Sequence, residues 1–409
     1  MRDPCAPLRR PLRAGASVYR RAALGIAADL VARSVRERGA ALRAQVAVDQ
    51  GTAPHAGAYR GRGDRVSGWA SLPPIPRAFV IATAALVACT DAPPVPPPAA
   101  TGVGLQANFV LANPAGLLAL DSQGHTLGRI IDLPAQSAPA TPALHPSGKS
   151  IVFALTQQPN KKTGFGSDLY TVNLDGSNFR ALVEHEHDNV FYASPRFDAT
   201  GNILYFHRRA ALIQAGSFIG NEDGIFRLDL RTGERKEVVK DGADPALAPD
   251  GTWLVYVHLT QGQPDGLWRV NADGTDARRF FKTKDAWWYL QAPRFAPSGC
   301  QIVFSGAGHT ISGGFAPRPP AAANTSGGRR PPQLHLNIPS ELVLAPCDGT
   351  AARTVGTTGD DVVPAWSPSG GEIAYVGTGA FFALTLANGS VRTLAQGQDF
   401  FFGDLVWAK

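Results

Sequence analysis

Histidine, cysteine, arginine and aromatic residues give this chain four possible kinds of site chemistry. His185, His187 and Asp188 precede the second repeat of a motif described below, and His207, His258 and His309 each follow an apolar run in three successive repeats; these are residue types that hold a divalent metal. That chemistry needs three or four of them to converge on one ion; solvated loop histidines are the simpler reading. Arg196 and Arg294 occupy the same place in a recurring motif and could hold an acidic segment, or be structural ion-pair residues. Tyr192, Trp288, Tyr289 and Phe401 fall in the aromatic segments Phe191-Tyr192, Trp287-Trp288-Tyr289 and Phe400-Phe401-Phe402. Such rings stack on sugars, grip a peptide, or seal one sheet against the next, and sealing is the favoured reading. Cys300 and Cys347 could pair in an oxidising compartment. No Gly-x-Ser-x-Gly elbow, His-Glu-x-x-His pair or phosphate loop is present, so a complete enzyme is not expected.

The elements that must position these residues are announced by an internal repeat. Pro142-Ala-Leu-His-Pro-Ser-Gly148 recurs as Pro195-Arg-Phe-Asp-Ala-Thr-Gly201 and Pro245-Ala-Leu-Ala-Pro-Asp-Gly251. It recurs again as Pro293-Arg-Phe-Ala-Pro-Ser-Gly299 and Pro364-Ala-Trp-Ser-Pro-Ser-Gly370. The spacings are 53, 50, 48 and 71 residues. An apolar strand follows each motif, such as Trp253-Leu-Val-Tyr-Val, then a second strand and a tight turn, such as Asp175-Gly176 or Asn388-Gly389. Asp-Gly and Asn-Gly supply the φ > 0 positions of hairpin turns. Four short antiparallel strands at this period describe a propeller blade. A two-sheet sandwich is the rival, and a common register across all units argues against it.

The motif resembles the WD-like repeat of the TolB family, nearest at Trp366-Ser-Pro-Ser-Gly370, where Ser369 replaces that family's Asp. Ala248-Pro-Asp-Gly251 keeps the Asp and lacks the Trp. The resemblance covers about residues 104–409 and implies an all-β, six-bladed β-propeller. It also implies a scaffold that binds protein in the cell envelope; the family's N-terminal α/β domain is not expected here. Oligogalacturonate lyases are also propellers and hold a metal through histidines, which makes a metal-dependent carbohydrate-binding or lyase-like propeller the alternative.

Five full repeats leave both ends incomplete. Residues 108–131 supply three strands without a first, and Asp404-Leu-Val-Trp407 aligns with Val363-Pro-Ala-Trp366 at a spacing of 41 residues, a first strand with nothing after it. Joining the N- and C-terminal strands would complete a sixth blade and remove two open edges. In such a blade Cys300 opens the second strand and Cys347 ends the third, so the two lie side by side and a disulfide is expected. The bond would close a Pro-, Gly- and Ser-rich insertion over residues 306–339. Longer loops fall on one face, with the tight Gly turns on the other, so the loop-rich face and channel mouth are the expected binding surface.

The N-terminal part differs in kind. Residues 1–88 hold 14 Arg, no Lys and five acids, so the remainder carries a formal charge of −3 although the whole chain is +6. Nucleic acid is therefore not an expected partner. Arg77 precedes eleven residues that are apolar except Thr83, the size of a signal core and too short to span a bilayer. Leu86-Val-Ala-Cys89 resembles the lipobox of bacterial lipoproteins, which implies acylation of Cys89 and cleavage before it. Met1 is the only Met, so a start within the chain would need a non-ATG codon, for which Val66 is one candidate. The organisation read from the chain is a doubtful or disordered Arg-rich leader (1–65), a signal peptide (66–88), a Pro-rich tether (89–104) and the propeller (105–409). The expected protein is a monomeric, non-catalytic, cofactor-free lipoprotein, exported and lipid-anchored to the cell envelope, touching membrane only through its anchor and binding an envelope protein or peptide.

Overall fold

The computed structural model describes residues 100–281, 287, 289–308 and 338–409. The leader, the signal, Cys89, Trp288, His309 and most of the 306–339 insertion lie outside them.

Apart from the short 3-10 turns Val103–Gln106 and Gln398–Phe400, every described element is a β-strand. The apolar runs that follow each motif become strands buried on both faces; Ile151, Val152, Phe153, Ala154 and Leu155 are all buried. A strand covered on both sides reads as continuous apolar sequence, not as alternation.

The strands form antiparallel meanders. One sheet has the order Asp404–Trp407, Phe109–Asn113, Gly116–Leu120, Thr126–Arg129. The next sheet has eight strands and contains two meanders. The first runs Ala138–Leu144, Ser150–Thr156, Gly166–Asn173, Arg180–Val183; the second runs Val190–Phe197, Ile203–Gln214, Ser217–Asp229, Arg235–Lys240. A short parallel pairing, Gly166 with Val190 and Ser167 with Phe191, joins them. Gly166 permits it, because a Cβ there would stand 2.1 Å from the Val190 carbonyl oxygen. Three four-stranded sheets complete the chain: Gly242–Leu247 to Arg278–Arg279, Tyr289–Phe295 to Arg353–Thr358, and Ala365–Trp366 to Ser390–Gln396. Their first strands, with those of the other meanders, line a central channel. The architecture is an all-β propeller.

The motif has a backbone role at each end. Its closing glycines, Gly148, Gly201, Gly251, Gly299 and Gly370, lie at φ between 69° and 74° in the turn to the second strand, where a side chain would be strained. In four of the five repeats its opening Pro sits in a bulge. The pairing skips two residues between Ala140 and Ala143, Ala193 and Arg196, Ala243 and Ala246, and Gln291 and Arg294. A bulge lets Pro sit in a strand without a missing ladder hydrogen bond. The residue before it takes positive φ: Thr141 49°, Ser194 50°, Asp244 47°, Ala292 52°.

Cys300 and Cys347 form a disulfide, Cα to Cα 5.2 Å, at the start of Gln301–Ala307 and the end of Ser340–Pro346. These strands are paired, and the Cys347 amide also donates to the Cys300 carbonyl at 3.0 Å. The Cys300→Ser, Cys347→Ser double variant is expected to lose about 3–4 kcal/mol of stability in the chain-entropy view. Denaturant titration of oxidised wild type against the variant measures it; equal midpoints would refute the bond's role.

A candidate binding site in the channel

The first strands enclose a cavity of about 380 Å³. The residue after the motif Pro lines it at Ala143, Arg196, Arg294 and Ala365 and, in the last strand, at Val406; the Gly242–Leu247 strand contributes Leu247 instead. Three of these five are small or apolar, so the two arginines stand out as the charged groups at that level. Both line the cavity. Each Nη1 donates to the carbonyl of its own preceding proline, Arg196 to Pro195 at 2.6 Å and Arg294 to Pro293 at 2.7 Å. The Arg196 Nε is buried and finds no hydrogen-bond partner among the described residues.

The electrostatics follow from that crowding. Burial pulls the Arg196 guanidinium well below its usual range, the charge of Arg294 pulls the same way, and Asp244 and Asp404 oppose both. Arg294 is lowered by burial and supported by the same two carboxylates. Burial alone would raise Asp244, but the Arg294 charge, the Ser194 hydroxyl, His207 and the Ala292 amide hold it below the ordinary aspartate range. Both protonated guanidiniums are therefore less favourable here than in water.

Around the cavity the bulged residues form a belt from sheet to sheet. The Thr141 amide donates to Asp404 Oδ2 at 2.8 Å, and the Ser194 amide donates to Thr141 Oγ1 at 3.0 Å. Ser194 Oγ donates to Asp244 Oδ1 at 2.5 Å, and the Ala292 amide reaches Asp244 Oδ2 at 3.3 Å. Further round, Gln291 Nε2 donates to the Val362 carbonyl at 3.4 Å and Trp366 Nε1 to the Arg294 carbonyl at 3.0 Å. Sequence reasoning missed this belt. The available signal was the polar residue just before the Pro slot: Thr141, Ser194, Asp244 and Asp404.

The aromatic residues divide. Tyr192 does not ring the channel mouth: it is buried in its own meander, where its hydroxyl accepts from Arg235 Nη1 at 2.8 Å and its ring stands 5.1 Å from that of Phe206. Burial, then the Glu186 charge, raises its phenol. Tyr289 is also buried; its hydroxyl donates to Gln291 Oε1 at 2.8 Å and lies 3.3 Å from Asp361 Oδ2 of the following segment. It seals one sheet against the next. Phe401 is half exposed, with its ring against Gly379. Trp288 lies outside the described residues.

The histidines are not brought together. His185 is buried, its Nδ1 2.6 Å from Asp168 Oδ1. His207 Nε2 lies 2.7 Å from Asp223 Oδ1, which also accepts from Arg209 Nε at 2.7 Å. His258 Nδ1 is 2.9 Å from Asp265 Oδ1, and its ring stacks on Trp268 at 4.2 Å. His187 is exposed beside the Asp188 carbonyl. Among the described residues no group of three or more His, Cys, Asp or Glu is arranged to hold a metal. Three of the four histidines are each taken up by a carboxylate of their own meander, and His185 and His207 are buried rather than solvated.

No protein-family model matches the chain. A curated relative, an uncharacterized protein of Agrobacterium fabrum, is 25% identical over 195 residues, 45% of this chain and 58% of the relative. TolB of Acinetobacter baumannii superposes with a TM-score of 0.50 at 17% identity, over 73% of this chain and 65% of that one. A putative TolB of Agrobacterium tumefaciens gives a TM-score of 0.45 at 19% identity, over 67% of this chain and 86% of that one. The chain thus spans less than two thirds of the A. fabrum relative and of the Acinetobacter protein. The likeness is one of fold: a TolB-like β-propeller.

Proposed function

We propose, from a TolB-like propeller with two guanidinium groups in its channel, that this protein is a non-catalytic envelope protein that binds an acidic segment of a protein or peptide. The observation that carries the reading is the Arg196–Arg294 pair. An entering carboxylate would offset the lowered pKa of both groups and offer Arg196 Nε the acceptor it lacks. We take the ring as six blades, counting two meanders in the eight-stranded sheet; the pairing of Phe109–Asn113 with Asp404–Trp407 supports that count. Export and acylation at Cys89 rest on sequence. The Cys300–Cys347 bond suits an oxidising compartment, and the working unit is taken as a monomer.

Calorimetry with an oligoglutamate peptide and its glutamine counterpart tests the channel. The glutamate peptide is expected to bind with salt-sensitive affinity, and the Arg196→Ala, Arg294→Ala double variant to weaken it by roughly tenfold or more. Equal binding of the two peptides, or an unaffected variant, sinks the reading. Intact mass of the mature protein checks the acyl group on Cys89. Stoichiometric Mn, Zn or Ca lost on substituting His187 and His258 would instead favour the carbohydrate-directed alternative.

A further inference from the structure

The hairpin Ile203–Gln214 and Ser217–Asp229 takes no part in the cavity lining, and its strands are the longest among the described residues. Its outer end runs past both neighbours. Val190–Phe197 pairs with it no further than Ala210, and Arg235–Lys240 no further than Gly224. The Ala211 amide still donates to the Asn189 carbonyl and the Asp241 amide to the Asp223 carbonyl, so residues 212–222 form a two-stranded arm. It closes through Ala215 and Gly216, at φ 49° and 77°, as a tight two-residue turn requires.

The arm has a neutralised base and an uncharged tip. At the base Arg208 lies 3.3 Å from Glu222 and Arg209 Nε 2.7 Å from Asp223. Beyond them, residues 212–219 carry no charge. Leu212, Ile213, Phe218 and Ile219 are 40%, 51%, 43% and 60% exposed. They make up half of the exposed large apolar side chains among the described residues.

The two faces of the arm decide what could cover it. Ile213 stands directly opposite Phe218, so these two share a face. Leu212 is the next residue along its strand and falls on the other; Ile219 is the extra residue of a bulge between Phe218 and Gly220, and it is the most exposed of the four. A groove on a protein covers one face of a ribbon. A ribbon that is apolar on both faces suits a medium that surrounds it, and the boundary between lipid headgroups and acyl chains is such a medium.

We infer that the arm tip is a membrane-contact loop, which inserts Leu212, Ile213, Phe218 and Ile219 into the lipid surface next to the protein. The inference rests on the exported location proposed above and not on the channel site. Because the tip carries no charge, insertion needs no anionic lipid, unlike attraction through a basic cluster.

Hydrogen exchange of the full chain, with and without phosphatidylcholine vesicles, tests it. Amides 212–220 are expected to exchange roughly tenfold slower or more with vesicles, while the channel strands are unchanged. The Phe218→Asp, Ile219→Asp double variant should lose that protection. An acylated N-terminus would carry the chain to vesicles without touching the arm, so this local readout separates the tip from any anchor. Absence of protection at 212–220, or protection that the Asp variant retains, overturns the inference. Protection that grows with protein concentration and needs no lipid would assign the tip to a second copy and also overturns it. Either failure leaves oligoglutamate binding at Arg196 and Arg294 unaffected, so the two readings fail separately.

Discussion

Removal of residues 402–409 is expected to abolish the single cooperative unfolding transition rather than merely lower its midpoint. Asp404–Trp407 forms the inner strand of a sheet whose other strands come from residues 109–129. Phe109 pairs with Trp407, their rings 4.5 Å apart, and Phe109 also meets Phe381 edge-on at 4.9 Å. The Ala408 amide donates to the Asn108 carbonyl at 2.7 Å. Without the strand, the backbone of Phe109–Asn113 becomes an open edge, and the buried side chains of Phe109, Val110 and Leu111 lose their cover on that side. The deletion also takes Asp404 from the belt, leaving the Thr141 amide without its acceptor. Trp407→Ala, which keeps the backbone ladder, should cost less, about 2–3 kcal/mol for a partly buried aromatic. Melting followed by circular dichroism and by tryptophan fluorescence checks both. The deletion should broaden the two curves and separate them, and an unchanged, coincident transition would refute closure through this strand.

The repeat was readable because Pro and Gly do backbone work that other residues do badly. Gly148, Gly201, Gly251, Gly299 and Gly370 share one left-handed conformation, and a shared conformational need leaves a shared letter. The Cys300–Cys347 bond was readable for a topological reason, since the start of a second strand lies beside the end of a third. Side-chain partners were harder to read. Tyr192 and Tyr289 have the amphipathic character of ligand-stacking residues, but whether a phenol meets a ligand or Arg235 or Asp361 depends on segments far away in sequence. The histidines were partly legible. Ile225 stands opposite His207, so Asp223, two residues earlier on the facing strand, lies diagonally across from it. The belt was hidden, because each of its residues binds a neighbour in another repeat. Aligning repeats shows what they have in common and conceals what they exchange. Thr141, Ser194, Asp244 and Ala292 share a backbone position but differ in side chain for that reason.

Asp244 is the position where loss of one side chain should reach furthest. Its carboxylate accepts from Ser194 Oγ and the Ala292 amide, so it joins the meanders before and after its own. It also offsets the charges of Arg196 and Arg294. Asp244→Ala leaves a hydroxyl without its acceptor and two half-buried guanidiniums with one carboxylate between them. A loss on the order of 3 kcal/mol is expected, since removing one member of a buried charged set costs more than the set contributes as a whole. Adding Arg294→Ala to Asp244→Ala should restore part of that stability, because the uncompensated charge is then gone. Asp244→Asn, which keeps the acceptor oxygen, should fall between the two. The pH dependence has a definite sign. The folded carboxyl lies below its ordinary value of 3.8, so its contribution is fully present above that value and is lost as pH falls through the folded pKa. The stability gap between wild type and Asp244→Ala should therefore be constant near neutrality and shrink as the pH drops below about 4. Denaturant titrations at a series of pH values measure the gap. A gap that widens in acid, or a double variant less stable than the sum of the single losses, would mean that Asp244 does not act as the counter-charge of the channel arginines.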